Sequence, residues 1–238
     1  MELDDPHDDF GGGRASGGGW SVWHVAETGS TNADLIERSD APDRTVLVAD
    51  HQTAGRGRLD RRWDAPPATN LLASILFRDV PEHAGDLTRR VGVAAVEAVL
   101  AVTGREARLK WPNDVLLDGR KLAGILAQRS PLGPVVVGIG LNVKWAPEGA
   151  ARLGPDVGVG DVLAALLRSL SLVPDDLHER YRALLATLGR RVRVELPADR
   201  FIGTAIDVER DGRLVVVDEC AISHRVDAGD VVHLRDAP

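Results

Sequence analysis

Four arginines, two glycines and one aspartate crowd the stretch Thr53-Ala54-Gly55-Arg56-Gly57-Arg58-Leu59-Asp60-Arg61-Arg62-Trp63. A guanidinium is a permanently charged fork that can hold two oxygens of a phosphate or carboxylate at once. Gly55 and Gly57 let the backbone come close to a ligand. The stretch therefore suits an anion clamp, and it equally suits a solvated basic loop or an RNA-contacting patch. It is not a P-loop, because no glycine-lysine-serine/threonine element opens a helix. Asp60 lies among cations, and the expectation is that it pairs with Arg58, Arg61 or Arg62.

Three more clusters could do chemistry. Lys110-Trp111-Pro112-Asn113-Asp114 sets opposite charges around a carboxamide, and as a bare turn its Asn113 and Asp114 would bond nearby backbone. Lys121-Leu122-Ala123-Gly124-Ile125-Leu126 starts an apolar run with a lysine that could neutralise a phosphate or keep its head in water. Gly138-Ile139-Gly140-Leu141-Asn142 puts two glycines in a strand, where they weaken it unless something packs closely on them. It lacks the third glycine and the helix of a dinucleotide fingerprint, and Asn142 could read a purine edge or bond backbone. His24, His51, His83, His178, His224 and His233 show no metal-ligand spacing, and Cys220 lies far along the chain from every cluster. No metal ligand set is expected.

These clusters need elements to hold them. Trp20 to Val25 alternates as a strand, and Ser30-Thr31-Asn32 caps a helix over Ala33 to Arg38. Val46–Ala49 and Asn70–Phe77 read as buried strands, and Leu87, Val91, Ala95, Ala98 and Val102 share one face of a helix. Val115–Leu117, Asp118-Gly119 and Arg120–Leu122 have the form of a hairpin. Val135–Val143 is a strand, followed by helices over Gly160–Ser171 and Asp175–Leu188. After Gly189 come five short strand candidates separated by turns, which predict a small β-barrel. The expectation is an α+β fold: a tail over residues 1–19, a mixed sheet with flanking helices over 20–188, and a C-terminal barrel over 189–238. The tail is acidic and then glycine-rich, too poor in apolar residues to recover its ordering entropy.

The 238 residues carry a formal net charge of -7, against a general nucleic-acid binder. One cysteine excludes an internal disulfide framework and fits a reducing cytoplasm. No apolar leader or membrane-length run is present.

Taken together, Gly29-Ser30-Thr31-Asn32, Gln52 to Arg58, Lys110 to Asp114, Lys121 to Leu126, Gly138 to Asn142 and a C-terminal Gly229-Asp230-Val231-Val232-His233-Leu234-Arg235 resemble the biotin protein ligase family from about Trp20 onward. The resemblance implies a catalytic domain like that of class II aminoacyl-tRNA synthetases, with an SH3-like C-terminal barrel. It implies that biotin and ATP, with Mg²⁺, give biotinyl-AMP, and that the biotinyl group then passes to a lysine of a biotin carboxyl carrier protein. It further implies a cytoplasmic monomer or weak homodimer that binds neither nucleic acid nor membrane, since only the glycine-rich tail stands where repressor members carry a DNA-binding domain.

By the same resemblance, Lys121 would hold the biotin carboxylate and the α-phosphate, with Arg58 and Asp114 as the other catalytic groups. Ser30, Thr31, Gln52 and Gly124 match positions at the biotin ring, and Asn32 and Asn113 belong to the same binding motifs. Gly55, Arg56, Gly57, Arg58 and Arg61 match the loop that folds over the adenylate, while Trp63 and Asn142 match positions near the adenine. Three departures stand out: Asp60 where the family's loop reads glycine, Gln128-Arg129 where an acidic residue is common, and no threonine-serine step near Ala150. The competing readings are a lipoate or octanoate ligase of the same fold, whose triple-glycine or cysteine signatures are absent here, and an inactive biotin-binding homologue.

Overall fold

The computed structural model describes residues 14–234 apart from 18, 39, 84, 132, 197, 198 and 228. Strands β1 (Arg14–Gly17), β2 (Trp20–Thr28), β3 (Thr45–Gln52), β4 (Leu71–Phe77), β5 (Ala107–Lys110), β6 (Asp114–Leu117), β7 (Arg120–Arg129) and β8 (Val135–Leu141) form one sheet. Its order is β1-β2-β3-β4-β8-β7-β6-β5. β2 and β3 run parallel and the other neighbours antiparallel, so the sheet is mixed as expected.

Side-chain alternation gives the sheet two distinct faces. Val46, Val48, Ile75, Val137, Ile139, Ile125 and Val115 point one way, into the main core, where α2 (Gly85–Thr103) and α3 (Val159–Leu172) also bury their apolar stripes. On the opposite face α1 (Thr31–Glu37) packs Leu35 against Leu47, Leu76 and Val136. The rest of that face mixes glycines and polar side chains with two leucines. Registered across four strands are Leu72, Gly140, Gly124 and Asp114, and beside them Ser74, Gly138 and Leu126. α1 therefore covers one end of the face, and glycines pave the other.

The Asp118-Gly119 turn is as read: φ is +51 and +72 at its two central residues, the primed geometry that suits a two-residue hairpin. The strands beyond it are not in simple register. Val115 pairs with Ala123 but Leu116 pairs with Lys121, so Leu122 is an extra residue in β7. Strict alternation from Gly124 would turn Lys121 into the core. With the bulge, Leu122 joins Ala123 in the core and Lys121 lies beside Gly124.

Some expectations need correction. Residues 1–13 and 18 of the expected tail lie outside the described residues, but Arg14–Gly17 form β1, pairing with the otherwise open edge of β2. α1 starts at Thr31 with Ser30 as its N-cap residue, rather than at Ala33. The second late helix, α4, spans only His178–Leu184. It stops there because Leu185 bridges Leu109 and the Ala186 N–H donates to the Leu109 carbonyl, on the free edge of β5. The five C-terminal strands, β9 (Arg191–Glu195), β10 (Arg200–Val208), β11 (Leu214–Asp218), β12 (Ser223–Val226) and β13 (Asp230–His233), form an antiparallel sheet of order β12-β11-β10-β9-β13. These are the five short strands expected of the C-terminal domain, and among the described residues no pairing joins β12 to β13. No helix among the described residues is long and apolar enough to cross a membrane.

The C-terminal sheet shares the main core through Val192, Val194, Leu214 and Val216. Trp111 ties the two sheets together. Its indole N–H donates to the Gly212 carbonyl at 2.9 Å, and its backbone N–H donates to the Thr187 hydroxyl at 3.0 Å.

Candidate active site

A cavity of about 380 Å³ opens over the glycine floor. It is lined by Ser30, Thr31, Asn32, Gln52, Arg56, Gly57, Arg58, Arg61, Trp63, Asn113, Asp114, Lys121, Gly124 and Asn142, together with Gly138, Gly140 and Asp230. Of the site residues that the family resemblance implies, Gly55 alone is not in its wall. Gly55 instead supports the loop: its carbonyl accepts the Trp63 N–H at 3.0 Å, and a Cβ there would lie 2.4 Å from the Trp63 carbonyl oxygen.

One end of the cavity is a buried relay of neutral polar groups. The Gln52 side-chain oxygen accepts the Thr31 N–H at 2.8 Å and lies 3.1 Å from the Thr31 hydroxyl. The Thr31 and Ser74 hydroxyls are 2.7 Å apart, and Ser74 donates to the Asn32 side-chain oxygen at 2.6 Å. The Asn32 amide nitrogen donates to the Leu126 carbonyl and to Gln128. With one hydrogen per hydroxyl, Ser74 spends its own on Asn32, so Thr31 divides its hydrogen between Ser74 and Gln52. Gly138 makes room for the relay, since a Cβ there would sit 2.3 Å from the Asn32 oxygen. Ser30 makes no side-chain cap bond, which leaves its hydroxyl to the cavity. Sequence reading missed Ser74, although a serine inside the apolar run Leu71–Phe77 was a visible signal.

The other end is charged. Lys121 Nζ is 2.7 Å from Asp114 Oδ1 and 5.7 Å from the centre of the Trp63 ring. Trp63 lies on the glycine floor: a Cβ at Gly140 would be 2.4 Å from Trp63 Cε2, and one at Gly124 would be 3.2 Å from Cζ3. The Trp63 indole N–H is buried and has no hydrogen-bond partner, an orphan donor inside a binding cavity.

Arg58 donates to the Asn113 side-chain oxygen at 3.1 Å and to the Gly229 carbonyl at 2.9 Å. Burial pulls its pKa down against the attraction of Asp230 and Asp114, and it remains a cation. Arg61 pairs with Asp230. Burial alone would raise the Asp230 carboxyl, but the Arg61 hydrogen bond and the charges of Arg61, Lys110 and Arg58 hold it below its ordinary range. Among the described side chains, the carboxylate that pairs with the loop's arginines is Asp230; the side chain of Asp60 lies outside the described positions.

Asn142 is already committed. It is buried, accepts from Asn70 at 3.2 Å and donates to the Ala151 carbonyl at 3.0 Å. Asn70 in turn accepts the backbone N–H groups of Val143 and Trp145, so the pair fixes the cavity wall after β8. Asn113 likewise donates to the Ile125 carbonyl at 2.7 Å. Among the described residues, no cluster of three or more histidine, cysteine, aspartate or glutamate side chains is arranged to hold a metal ion.

A neutral hydrogen-bonding end beside a cationic end suits a ligand with a polar uncharged head and an anionic tail. Residues 23–143 match the biotin/lipoate A/B protein ligase family, and residues 187–234 match the biotin protein ligase C-terminal domain. The biotin–acetyl-CoA-carboxylase ligase of Mycobacterium tuberculosis is 43% identical, covering 92% of each chain. The bifunctional ligase/repressor BirA of Escherichia coli strain K12 is 34% identical over 94% of this chain and 77% of its own length. A solved structure of the biotin protein ligase from Aquifex aeolicus in complex with biotin and ATP superposes with a TM-score of 0.79 and 27% identity, covering 90% of this chain and 99% of that one.

Proposed function

The chain belongs to the biotin protein ligase family, and from that premise we propose that it activates biotin with ATP and transfers the biotinyl group to a lysine of a biotin carboxyl carrier protein. In the first step a biotin carboxylate oxygen attacks the α-phosphorus of ATP, and pyrophosphate leaves. In the second the acceptor lysine nitrogen attacks the acyl carbon, and AMP leaves.

The observation that carries this reading is Lys121, re-aimed by the β7 bulge onto the cavity side, held by Asp114 and set above Trp63. Carboxylate and α-phosphate are both anions, so a fixed cation between them lowers the cost of bringing them together and of the charge that develops. Lys121 takes that place. Arg56, Arg58 and Arg61 close the phosphate side, and Asp114 orients the ammonium. Ser30, Thr31, Gln52 and Gly124 form the biotin end, with Asn32 behind them in the relay.

Trp63 walls the adenine side and carries a donor that still needs an acceptor. Asn142 shapes that wall through Asn70 and Ala151 instead of reading the base. A Mg²⁺ ion would be held mostly by the phosphates of the nucleotide, and Asp114, in the cavity wall, would be a carboxylate available to it. A closed loop also excludes water, which protects an acyl-adenylate from hydrolysis until the acceptor arrives.

The test is ATP–pyrophosphate exchange with biotin, run beside lipoate and octanoate. Exchange dependent on biotin is expected. Exchange with lipoate or octanoate alone would move the chain to the other branch of the fold, and exchange with none of the three would make it a binding homologue.

A further inference from the structure

The arginine loop has little to fix it over the cavity except two side chains. Its internal bonds are the Arg56–Arg62 bridge, the Gly57 N–H to the Arg61 carbonyl at 2.6 Å, and the turn closed by Arg61 on Arg58. Leu59 at its tip is 67% exposed and has φ +55, so no apolar anchor holds the tip down. The contacts that reach away from the loop tip are those of Arg58 and Arg61: Arg58 donates to Asn113 and to Gly229, and Arg61 pairs with Asp230, so both side chains reach consecutive residues at the start of β13.

That receiving end is tied into the C-terminal sheet. The Asp230 backbone is paired with Glu195 in the β13–β9 ladder. Gly229 has φ +149, and a Cβ there would come within 2.9 Å of the Glu195 carbonyl oxygen, so its own carbonyl is aimed by a conformation that glycine tolerates. The Arg61–Asp230 pair contributes little to global stability, because Arg61 is largely exposed. A contact of that strength is nonetheless enough to shift the open–closed balance of a loop about fivefold.

We propose that the C-terminal sheet latches the arginine loop over the cavity, and that Asp230 is a positioning residue that acts through Arg61 to keep the adenylated intermediate enclosed. The C-terminal sheet thereby acts at the site without contributing the reacting groups, and it ties closure of the loop to the seating of that sheet. The inference rests on the functional reading above for its second half only; the latch itself is a property of the chain without ligands.

The experiment therefore has two arms on the full chain, comparing wild type with Asp230→Asn, Asp230→Ala and Asp230→Glu. In the first, limited trypsin digestion without ligand follows cleavage within Arg56–Arg62. The Asn and Ala variants should be cut in that loop roughly three- to tenfold faster, with an unchanged melting temperature, and Glu should restore protection. In the second, the rate at which biotinyl-AMP leaves the protein should rise by a similar factor in the same two variants and return with Glu. Wild-type loop protection in Asp230→Asn would overturn the latch. Faster cutting with unchanged release of biotinyl-AMP would overturn the positioning role. If wild type makes no biotinyl-AMP, the functional reading has failed, and the trypsin arm still decides the latch.

Discussion

The ammonium of Lys121 lies 2.7 Å from a carboxylate oxygen of Asp114 across the β6–β7 hairpin, and the β-bulge at Leu122 is what brings the two to one face. Without the extra residue, Lys121 would face the apolar core, where an ammonium cannot stay charged without a partner. The bulge is thus a functional feature of the strand.

Lys121→Ala should lower biotin-dependent pyrophosphate exchange by about 10²–10³-fold, the range for removing a preorganised charge from a developing anion. Its side chain is 40% exposed, so the fold should survive. Asp114→Asn keeps the cation and loosens its placement, and should cost about tenfold. An Asp114 variant more damaged than the Lys121 variant would reverse the assignment of roles.

Trp63 rests on backbone, and Gly140→Ala tests that contact. The added methyl would meet the indole at 2.4 Å, closer than any real contact, so the ring must move off the floor. The expected result is a KM for ATP raised about tenfold or more, the KM for biotin changed less, and a red shift in tryptophan emission as the indole gains water. An unchanged KM for ATP would remove Trp63 from the nucleotide wall.

Much of this was legible in the sequence, for physical reasons. Alternation at Trp20–Val25 and continuous apolar runs such as Val46–Ala49 and Asn70–Phe77 gave strands of the main sheet, and Asp118-Gly119 has two positive φ values as a hairpin of that length requires. The cavity residues were legible because arginine, lysine and glycine in those positions are costly without a use. Long-range partners were not legible. Nothing local says that Asp230 receives Arg61, that Asn70 engages Asn142, or that Leu109 captures Leu185 and ends α4 early. Glycine-rich composition argued against order at Arg14–Gly17, and the open edge of β2 overrode it. Asn142 had two readings in the sequence, a purine contact or a backbone bond, and its partners Asn70 and Ala151 are equally long-range information that no local pattern carries.

His233 predicts a pH dependence of stability. Burial, then the charges of Lys110 and Arg190, push its pKa down from 6.5 to about 4. Thr187 accepts the Trp111 N–H and lies 3.1 Å from His233 Nε2, which suits a neutral imidazole accepting the threonine hydrogen. The unfolded chain therefore binds a proton that the folded chain refuses. The contribution is fully present above pH 6.5 and is lost as pH falls toward 4. His233→Gln, which stays neutral and can accept the same bond, should flatten the fall in denaturation midpoint between pH 6.5 and 4. A variant with the wild-type slope would place the effect elsewhere.

Ser74 offers the most specific test of the biotin end. It is fully buried, and its hydroxyl lies between Thr31 at 2.7 Å and Asn32 at 2.6 Å. Ser74→Ala removes the donor to Asn32 and the neighbour of Thr31 together, so two buried polar groups lose a partner at once. That should destabilise the fold by about 1–3 kcal/mol, seen as a lower denaturation midpoint at constant slope. The effect on binding follows from the hydrogen count. With Ser74 gone, the Thr31 hydrogen goes to Gln52 alone and the Asn32 oxygen loses its orienting donor, so both side chains can turn within the cavity. The KM for biotin should rise several-fold while kcat changes little, because the groups lost bind the substrate head alike in the ground state and the transition state. Loss of kcat at constant KM would instead assign the relay to the chemical step, and an unchanged KM would take the neutral end of the cavity out of biotin recognition.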